Sequence, residues 1–292
     1  MNKGYPAAIA AYFFWGFSPI FWKLISQIPA LEILLHRIFW SFPFLMIILY
    51  WRSGSANLKS LFKNFAQKRL YFISALLLAI NWLLFIWAVN NGYIVEASLG
   101  YFINPLVNVL LGVIFFKERI RRLQWIAILL ASSGVLYLTF NYGNFPWIAL
   151  SLAGSFGFYG LIRKMAPLGS IEGLTFEMVV LYLPALLLLA NMNLHNNLVF
   201  FKVGFDIEII LIITGLVTII PLLLFAFAAR NIPYGTLGFI QYIAPSFQFL
   251  LGVFVYGEAF GVERFIGFVF IWLALIIYSA ENIYFLKRKL SL

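Results

Sequence analysis

Two apolar stretches of the sequence carry uncharged polar side chains at helical spacing. Tyr101, Asn104 and Asn108 are three and four residues apart, so an α-helix places them on one face. Gln241 and Gln248 are seven residues apart and also share a helical face. Hydroxyl and amide groups donate and accept hydrogen bonds, which suits the binding of a polar solute in a cavity. Hydrogen bonds that only join helices to one another are the alternative.

Ionisable side chains are few in the apolar stretches. His36 and Arg37 lie about 10 Å into one of them at 1.5 Å per residue. Arg37 either binds an anionic group of a substrate or pairs with Glu96. Glu96 and Glu177 are candidates to carry a proton. Because both lie near the ends of their apolar stretches, solvated carboxylates at the membrane interface are the alternative.

Two prolines and two glutamates occupy corresponding places in different stretches. Pro105 and Pro245 lie mid-stretch, where each removes a backbone hydrogen bond and kinks a helix. They are candidate hinges, with a purely packing role as the alternative. Glu118 and Glu258 end their stretches, and we expect them to bind backbone groups or loop cations.

The composition decides which class of protein positions these residues. Of 292 residues, 64% are hydrophobic and 10% are charged, whereas soluble domains carry about 25% charged residues. A soluble or disordered protein is therefore excluded. A membrane helix needs about 20 apolar residues, so we predict an all-α polytopic membrane protein with ten transmembrane helices, the first one uncleaved. The ten apolar runs are 5–22, 31–51, 70–90, 93–116, 122–140, 146–162, 172–190, 207–229, 234–256 and 262–284.

The sequence matches itself after a shift of 140 or 141 residues. The shift superimposes residues that are unlike the apolar background: Gly16 on Gly157, Lys23 on Lys164, Asn91 on Asn231, Pro105 on Pro245 and Glu118 on Glu258. We predict two repeats of five helices, residues 1–141 and 145–292. Because five is odd, the second repeat is inverted in the membrane. Glycines 154, 157 and 160 in the sixth run are expected to let helices approach closely.

Charge sets the predicted orientation. With ten spans, sixteen lysines and arginines fall on the side of both termini and three on the other. The positive-inside rule makes both termini cytoplasmic, and the net charge of +10 is thereby explained without nucleic acid. The chain has no cysteine and two histidines, so we expect no metal site and no cofactor.

Several stretches resemble a known family. The most specific is the run from Glu96 to Leu106, EASLGYFINPL, and the run from Leu237 to Pro245, LGFIQYIAP, is similar. Together with Asn81-Trp82, they resemble the EamA branch of the drug/metabolite transporter superfamily. The resemblance implies ten helices in two sets of five, and an inner-membrane permease that exports small organic metabolites or drugs. Asn81 and Trp82 are further candidate substrate-binding residues. The indole ring of Trp82 is a stacking surface for a flat substrate, with an interfacial anchor or a packing role as the alternative.

The leading hypothesis is a secondary transporter that works by alternating access between the two repeats. The sequence contains no P-loop, so ATP does not drive it within this chain. The expected partners are a small-molecule substrate and the lipid bilayer, and a homodimer is left open. The alternatives are a passive channel and a membrane-embedded lipid-modifying enzyme, for which the sequence offers no catalytic cluster.

Overall fold

A computed structural model of the chain describes residues 2–62, 69–91, 93–142, 145–256 and 261–290. All regular structure in these ranges is helical. The helices are α1 (Gly4–Lys23), α2 (Ala30–Phe62), α3 (Arg69–Asn90), α4 (Ile94–Phe116), α5 (Arg122–Tyr142), α6 (Trp147–Met165), α7 (Ser170–Leu194), α8 (Phe205–Asn231), α9 (Tyr234–Gln241), α10 (Ile243–Leu250) and α11 (Val262–Leu290), with a π-helical turn at Leu251–Val255.

Within the described ranges, a helix occupies each predicted apolar run, and the ninth run is divided into α9, α10 and the π-helical turn. Eight of these segments are long and apolar enough to cross a membrane. The chain is thus an all-helical, multi-pass membrane protein, as predicted. The helices α1 and α6 are not among the eight.

The break in the ninth segment has a local cause. Pro245 has no N–H group, so the carbonyl of Gln241 loses its usual helical partner. The helix α9 ends at Gln241, and the N–H of Tyr242 bonds instead to the carbonyl oxygen of Phe239, 3.2 Å away. Pro105 frees the carbonyl of Tyr101 in the same way, but α4 continues through it.

Helix packing in one half of the chain is matched in the other half. The helix α1 packs against α8, and α6 packs against α3. Likewise α1 packs against α9 and α10, and α6 packs against α4. The 140-residue shift exchanges α1 with α6, α3 with α8, and α4 with the α9–α10 segment, so it converts each of these contacts into another.

Helices that correspond under the shift also contact each other, and they run antiparallel. In the pair α4 and α9, the hydroxyl of Tyr242 donates to the carbonyl oxygen of Phe102 at 3.2 Å. Further along, Gly238 of α9 lies against Pro105 of α4. In the pair α5 and α11, Gly134 lies against Phe270 near the middle of both helices.

An ion pair ties the loop before α5 to the last turns of α11. Arg121, in the loop before α5, donates to both carboxylate oxygens of Glu281 and to Oδ1 of Asn282. Hydrogen bonding to Glu281 raises the pKa of Arg121. This loop therefore stays charged and attached to α11.

Small residues set the closeness of the central contacts. A methyl group added at Gly238 would lie 2.6 Å from the carbonyl oxygen of Pro105, and one at Gly157 would lie 2.7 Å from Cγ1 of Val107. Gly160 lies directly against the ring of Tyr234, whereas the space at Gly154 is open. Close helix approach is confirmed at two of the three glycines of α6.

Candidate functional site

Four buried polar residues join the two halves at the centre of the bundle. The amide nitrogen of Asn108 donates to Oε1 of Gln241 at 2.9 Å and to Oδ1 of Asn104 at 3.3 Å. The hydroxyl of Tyr12 also donates to Oε1 of Gln241, at 3.4 Å. We call Tyr12, Asn104, Asn108 and Gln241 the polar cluster. Since Asn104 donates to the carbonyl oxygen of Ala153 at 2.6 Å, the cluster connects α1, α4, α6 and α9.

One acceptor of the polar cluster is unpaired. Oδ1 of Asn108 is buried and has no hydrogen-bond partner among the described residues. Buried polar atoms are nearly always hydrogen-bonded, and leaving one unpaired costs about 1–3 kcal/mol. A different arrangement of these helices that supplies a donor to Asn108 would recover that energy.

Arg37 of α2 is surrounded by side chains from four other helices. Its Cζ atom lies 4.8 Å from the ring centroid of Trp22 in α1 and 4.8 Å from that of Trp82 in α3. Its Nε donates to Oγ1 of Thr218 in α8 at 3.0 Å, and it interacts electrostatically with Tyr101 of α4. We call these five residues the arginine site.

The arginine site retains accessible surface, whereas the polar cluster does not. Tyr101 is 42% exposed, although its ring packs against Phe85 and it lies beside Arg37. Arg37, Trp22 and Trp82 are half-buried. No carboxylate among the described side chains forms an ion pair with Arg37. Glu96, its predicted alternative partner, lies outside the described side chains.

The second buried arginine, unlike Arg37, has a carboxylate partner. Arg163 of α6 and Glu177 of α7 are 1% and 0% exposed at their side chains, with Nη1 and Oε1 3.5 Å apart. Glu177 also accepts from Ser74 at 2.5 Å and from Tyr159 at 3.4 Å. This burial excludes the alternative that Glu177 is a solvated carboxylate at the interface.

His36 and Glu32 form a local support that sequence analysis missed. Glu32 is buried and accepts backbone N–H groups from Val199 and Phe200 at 2.9–3.0 Å. His36 accepts from Nε1 of Trp40 at 3.1 Å, which puts its proton on Nε2, 3.8 Å from Glu32. Glu32 therefore holds the turn between α7 and α8, and His36 packs beside it. The available indication in the sequence was a carboxylate at the start of an apolar run.

The remaining predicted residues bind backbone groups of neighbouring helices. Asn81 donates to the carbonyl oxygen of Leu152 and to Ser155, both at 2.9 Å. Gln248 donates to the carbonyl oxygen of Trp15 at 3.1 Å. The structure therefore divides the predicted site: Asn104, Asn108 and Gln241 come together, Tyr101 and Trp82 lie with Arg37, and Asn81 and Gln248 stand apart.

Glu118 binds backbone groups, as predicted. It accepts the N–H groups of Tyr234 and Gly235, the latter at 2.8 Å, and so caps the first turn of α9. Its counterpart Glu258 lies outside the described residues.

Two lysines that the 141-residue shift superimposes, Lys23 and Lys164, differ in their bonding. Nζ of Lys164 donates to the carbonyl oxygens of Ala229 and Ile232 at 2.8 and 2.5 Å and lies 5.1 Å from the ring centroid of Phe116. Lys23 is exposed, and its Nζ lies 3.7 Å from the ring centroid of Tyr256. Phe116 and Tyr256 also correspond under the 140-residue shift, so the cation–π contact is shared by both halves.

No group of three or more metal-ligating side chains is present in the described ranges. The arginine site and the polar cluster together offer one unpaired cation, aromatic rings and amide groups. Such a set can bind and orient a small molecule by charge, stacking and hydrogen bonds.

Comparison with known proteins gives a consistent family assignment. A profile of the EamA-like transporter family matches residues 2–140. Protein RarD of Salmonella typhi is 45% identical over 99% of this chain and 98% of its own length. The uncharacterized transporter YojE of Bacillus subtilis is 42% identical over 97% of this chain and 95% of its own length.

A solved structure shares the fold. It is a crystal structure of a protein that superimposes with a TM-score of 0.71 at 15% identity, covering 94% of this chain and 97% of the other. With relatives above 40% identity over nearly the whole length, the chain belongs to the EamA-like transporter family, alongside the RarD proteins.

Proposed function

We propose that the protein is a secondary transporter of small organic molecules in the bacterial inner membrane. Its ten helices form two inverted repeats, residues 1–141 and 145–292, and transport proceeds by alternating access between them. The observation that carries the proposal is the hydrogen-bonded polar cluster where α4 and α9 cross. Polar side chains are costly inside a membrane and mark the pathways of transported solutes.

The packing supports an inverted repeat. Helices that correspond under the 140-residue shift run antiparallel where they meet, as an inverted second half requires. The cation–π contacts Lys23–Tyr256 and Lys164–Phe116 also exchange under the shift. A two-fold axis in the membrane plane accounts for all of these pairs.

The proposed orientation places the arginine site and the polar cluster at different depths in the membrane. With both termini cytoplasmic, Arg37 lies in the outer half, seven residues into α2. Tyr12 lies eight residues after the start of α1, and Asn108 lies eight residues before the end of α4, so the polar cluster is nearer the cytoplasm. The arginine site is then open towards the outside, while the polar cluster closes the inside. A continuous pore is disfavoured by that closure.

The repeat predicts which contacts form in the opposite state. Under the 140-residue shift, Asn108 corresponds to Gln248 and Gln241 corresponds to Tyr101. The counterpart of the contact Asn108–Gln241 is therefore the contact Gln248–Tyr101. In this structure the first contact is made, and Tyr101 and Gln248 have other neighbours. We therefore propose that transport breaks the first contact and forms the second.

Paired cysteines test this exchange, since the chain has no native cysteine. One variant carries Asn108→Cys with Gln241→Cys, and the other carries Tyr101→Cys with Gln248→Cys. In native membranes treated with a short bifunctional thiosulfonate, we expect both pairs to cross-link, because each pair is in contact in one of two interconverting states. The single-cysteine variants are the controls. If the first pair cross-links fully and the second never does, the proposed motion is wrong.

The transport activity itself is tested in cells. Metabolites in the medium are compared between cells that produce the wild-type protein and cells that produce either cross-linked double variant. We expect at least one small organic molecule to accumulate outside only with the mobile protein. Equal profiles in all three strains would contradict the export proposal.

A further inference from the structure

The two interior arginines differ in one respect that points to a ligand. Arg163 is neutralised by Glu177 and also donates to the carbonyl oxygen of Ser170 at 2.9 Å. Arg37 donates only from Nε, to Thr218, among the described residues. Its two Nη atoms have neither a carboxylate nor a carbonyl partner there. An arginine in a membrane interior is normally paired or hydrated, because its desolvation is costly.

We infer that Arg37 binds the carboxylate of the transported molecule and that the substrates are organic monoanions with a flat apolar part. The inference rests on the proposed transport function and names its substrate class. Both Nη atoms of a guanidinium form a fork that matches the two oxygens of a carboxylate. Thr218 fixes Nε and so orients that fork.

The aromatic residues around Arg37 select the rest of the ligand. The rings of Trp22 and Trp82, each 4.8 Å from Cζ, are both half-buried and retain surface for a second contact. Tyr101 adds an exposed ring and a hydroxyl at the same place. A planar apolar group attached to a carboxylate fits between such rings, since stacking and cation–π contacts reinforce each other.

The charge of the site favours a single negative charge. Arg37 is the one cation of the arginine site as defined by its five residues. His36 lies one helical turn after Glu32, and its Nδ1 accepts a hydrogen bond from Trp40. A nitrogen that accepts carries no proton, so the imidazole of His36 is neutral. The Nζ of Lys23 lies over Tyr256 instead. A phosphate dianion would require a second cation, whereas a carboxylate is balanced by Arg37 alone.

Tryptophan fluorescence tests the inference without knowledge of the natural substrate. The detergent-purified protein is titrated with 4-nitrobenzoate and, separately, with the neutral isostere 4-nitrobenzamide, both of which quench indole emission. We expect saturable quenching by the carboxylate with an apparent Kd about tenfold or more below that of the amide. Acetate and benzoate should displace the carboxylate probe, with benzoate acting at the lower concentration.

Variants assign the effect to Arg37. Arg37→Gln should abolish the preference for the carboxylate, and Arg37→Lys should weaken it, because an ammonium has no planar fork. Thr218→Val should raise the apparent Kd severalfold without removing a charge. Lys202→Gln removes an exposed cation whose Nζ bonds to the carbonyl oxygen of Asn196, and it should leave the titration unchanged.

Equal quenching by the acid and the amide in the wild-type protein would overturn the inference, and this comparison needs no variant to fold. An acid preference that survives Arg37→Gln in folded protein would also overturn it. The cysteine-pair experiment separates this failure from that of the transport proposal. Two cross-linking pairs without an acid preference would leave alternating access standing and remove only the anion site.

Discussion

The hydroxyl of Tyr242 donates a hydrogen bond to the carbonyl oxygen of Phe102 across 3.2 Å, and these two residues are 140 positions apart. A residue that contacts its own counterpart must lie next to the axis that relates the two copies. The crossing of α4 and α9 is therefore where we place the proposed pseudo-two-fold axis. Motion of one half against the other must change the contacts around this crossing.

Substitution of Gly238 tests how tightly this crossing is packed. In Gly238→Ala, the added methyl group would lie 2.6 Å from the carbonyl oxygen of Pro105 and 2.9 Å from Cβ of Asn108. We expect a loss of about 1–3 kcal/mol of stability, the usual cost of overpacking, measured by thermal unfolding in detergent. The matched control is Gly154→Ala in α6, where the space is open. Because alanine favours helices, this control should be neutral or stabilising.

If Gly238→Ala were as stable as Gly154→Ala, the helices would separate there at little cost. That outcome would show that tight packing of Gly238 against Pro105 does not hold α4 and α9 together at the crossing.

The two equivalent lysines provide a second test. Lys164→Met removes two charge-assisted bonds to carbonyl oxygens at the end of α8, for which we expect a loss of about 2–3 kcal/mol. Lys23→Met removes only an exposed cation–π contact to Tyr256, for which about 0.5–1 kcal/mol is expected. Thermal unfolding of both variants in one detergent gives the comparison.

In the proposed exchange, Lys23 bonds to backbone carbonyl oxygens when the outer side of the protein closes, as Lys164 does in this structure. Lys23→Met should then lower the cross-linking yield of Tyr101→Cys with Gln248→Cys, and Lys164→Met should lower that of Asn108→Cys with Gln241→Cys. The opposite pattern, or an equal effect of both lysines on both pairs, would argue against exchange.

Much of the helical fold was predictable because hydrophobicity is a local property of the sequence. Each apolar run became helical, and Glu118 bound backbone N–H groups as a carboxylate at a helix end should. The shift also predicts that α4 and α9 are equivalent, and the structure places these two helices in contact. The spacing of Asn104 and Asn108 predicted their shared face, and the structure joins them by a hydrogen bond and brings Asn108 against Gln241 of α9.

The partner of each polar residue was not predictable. Asn108 corresponds to Gln248 but bonds to Gln241, because antiparallel helices meet at residues displaced in opposite directions from the crossing. The proposed repeat indicates which residues correspond to each other, but it does not indicate which residues contact each other. The bonds of Glu32 to the turn at Val199 join segments 167 residues apart, and nothing local encodes them.

The pair Arg163–Glu177 is expected to be structural. Glu177→Gln leaves Arg163 buried without a counter-charge, which typically costs about 3–5 kcal/mol. The double variant Arg163→Met with Glu177→Leu removes both charges, and we expect it to recover most of that loss. Thermal unfolding and the yield of monodisperse protein are the measurements.

A proton-carrying Glu177 would behave differently. Glu177→Gln would then fold normally and lose only ion-coupled transport, while the double variant would gain no stability over it. That combination of results would assign Glu177 to coupling and remove the structural interpretation.

Pro245 is the stronger of the two hinge candidates, because the helix breaks beside it. In Pro245→Ala the restored N–H can donate to the carbonyl of Gln241 and rejoin α9 to α10. We expect unchanged or higher thermal stability, together with slower interconversion of the two cross-linkable states, measured as the rate at which each cysteine pair reacts to completion. Pro105→Ala is the matched control, since α4 is already continuous there, and it should alter these rates less. Equal rates for wild type and Pro245→Ala would show that Pro245 only fills space in the bundle.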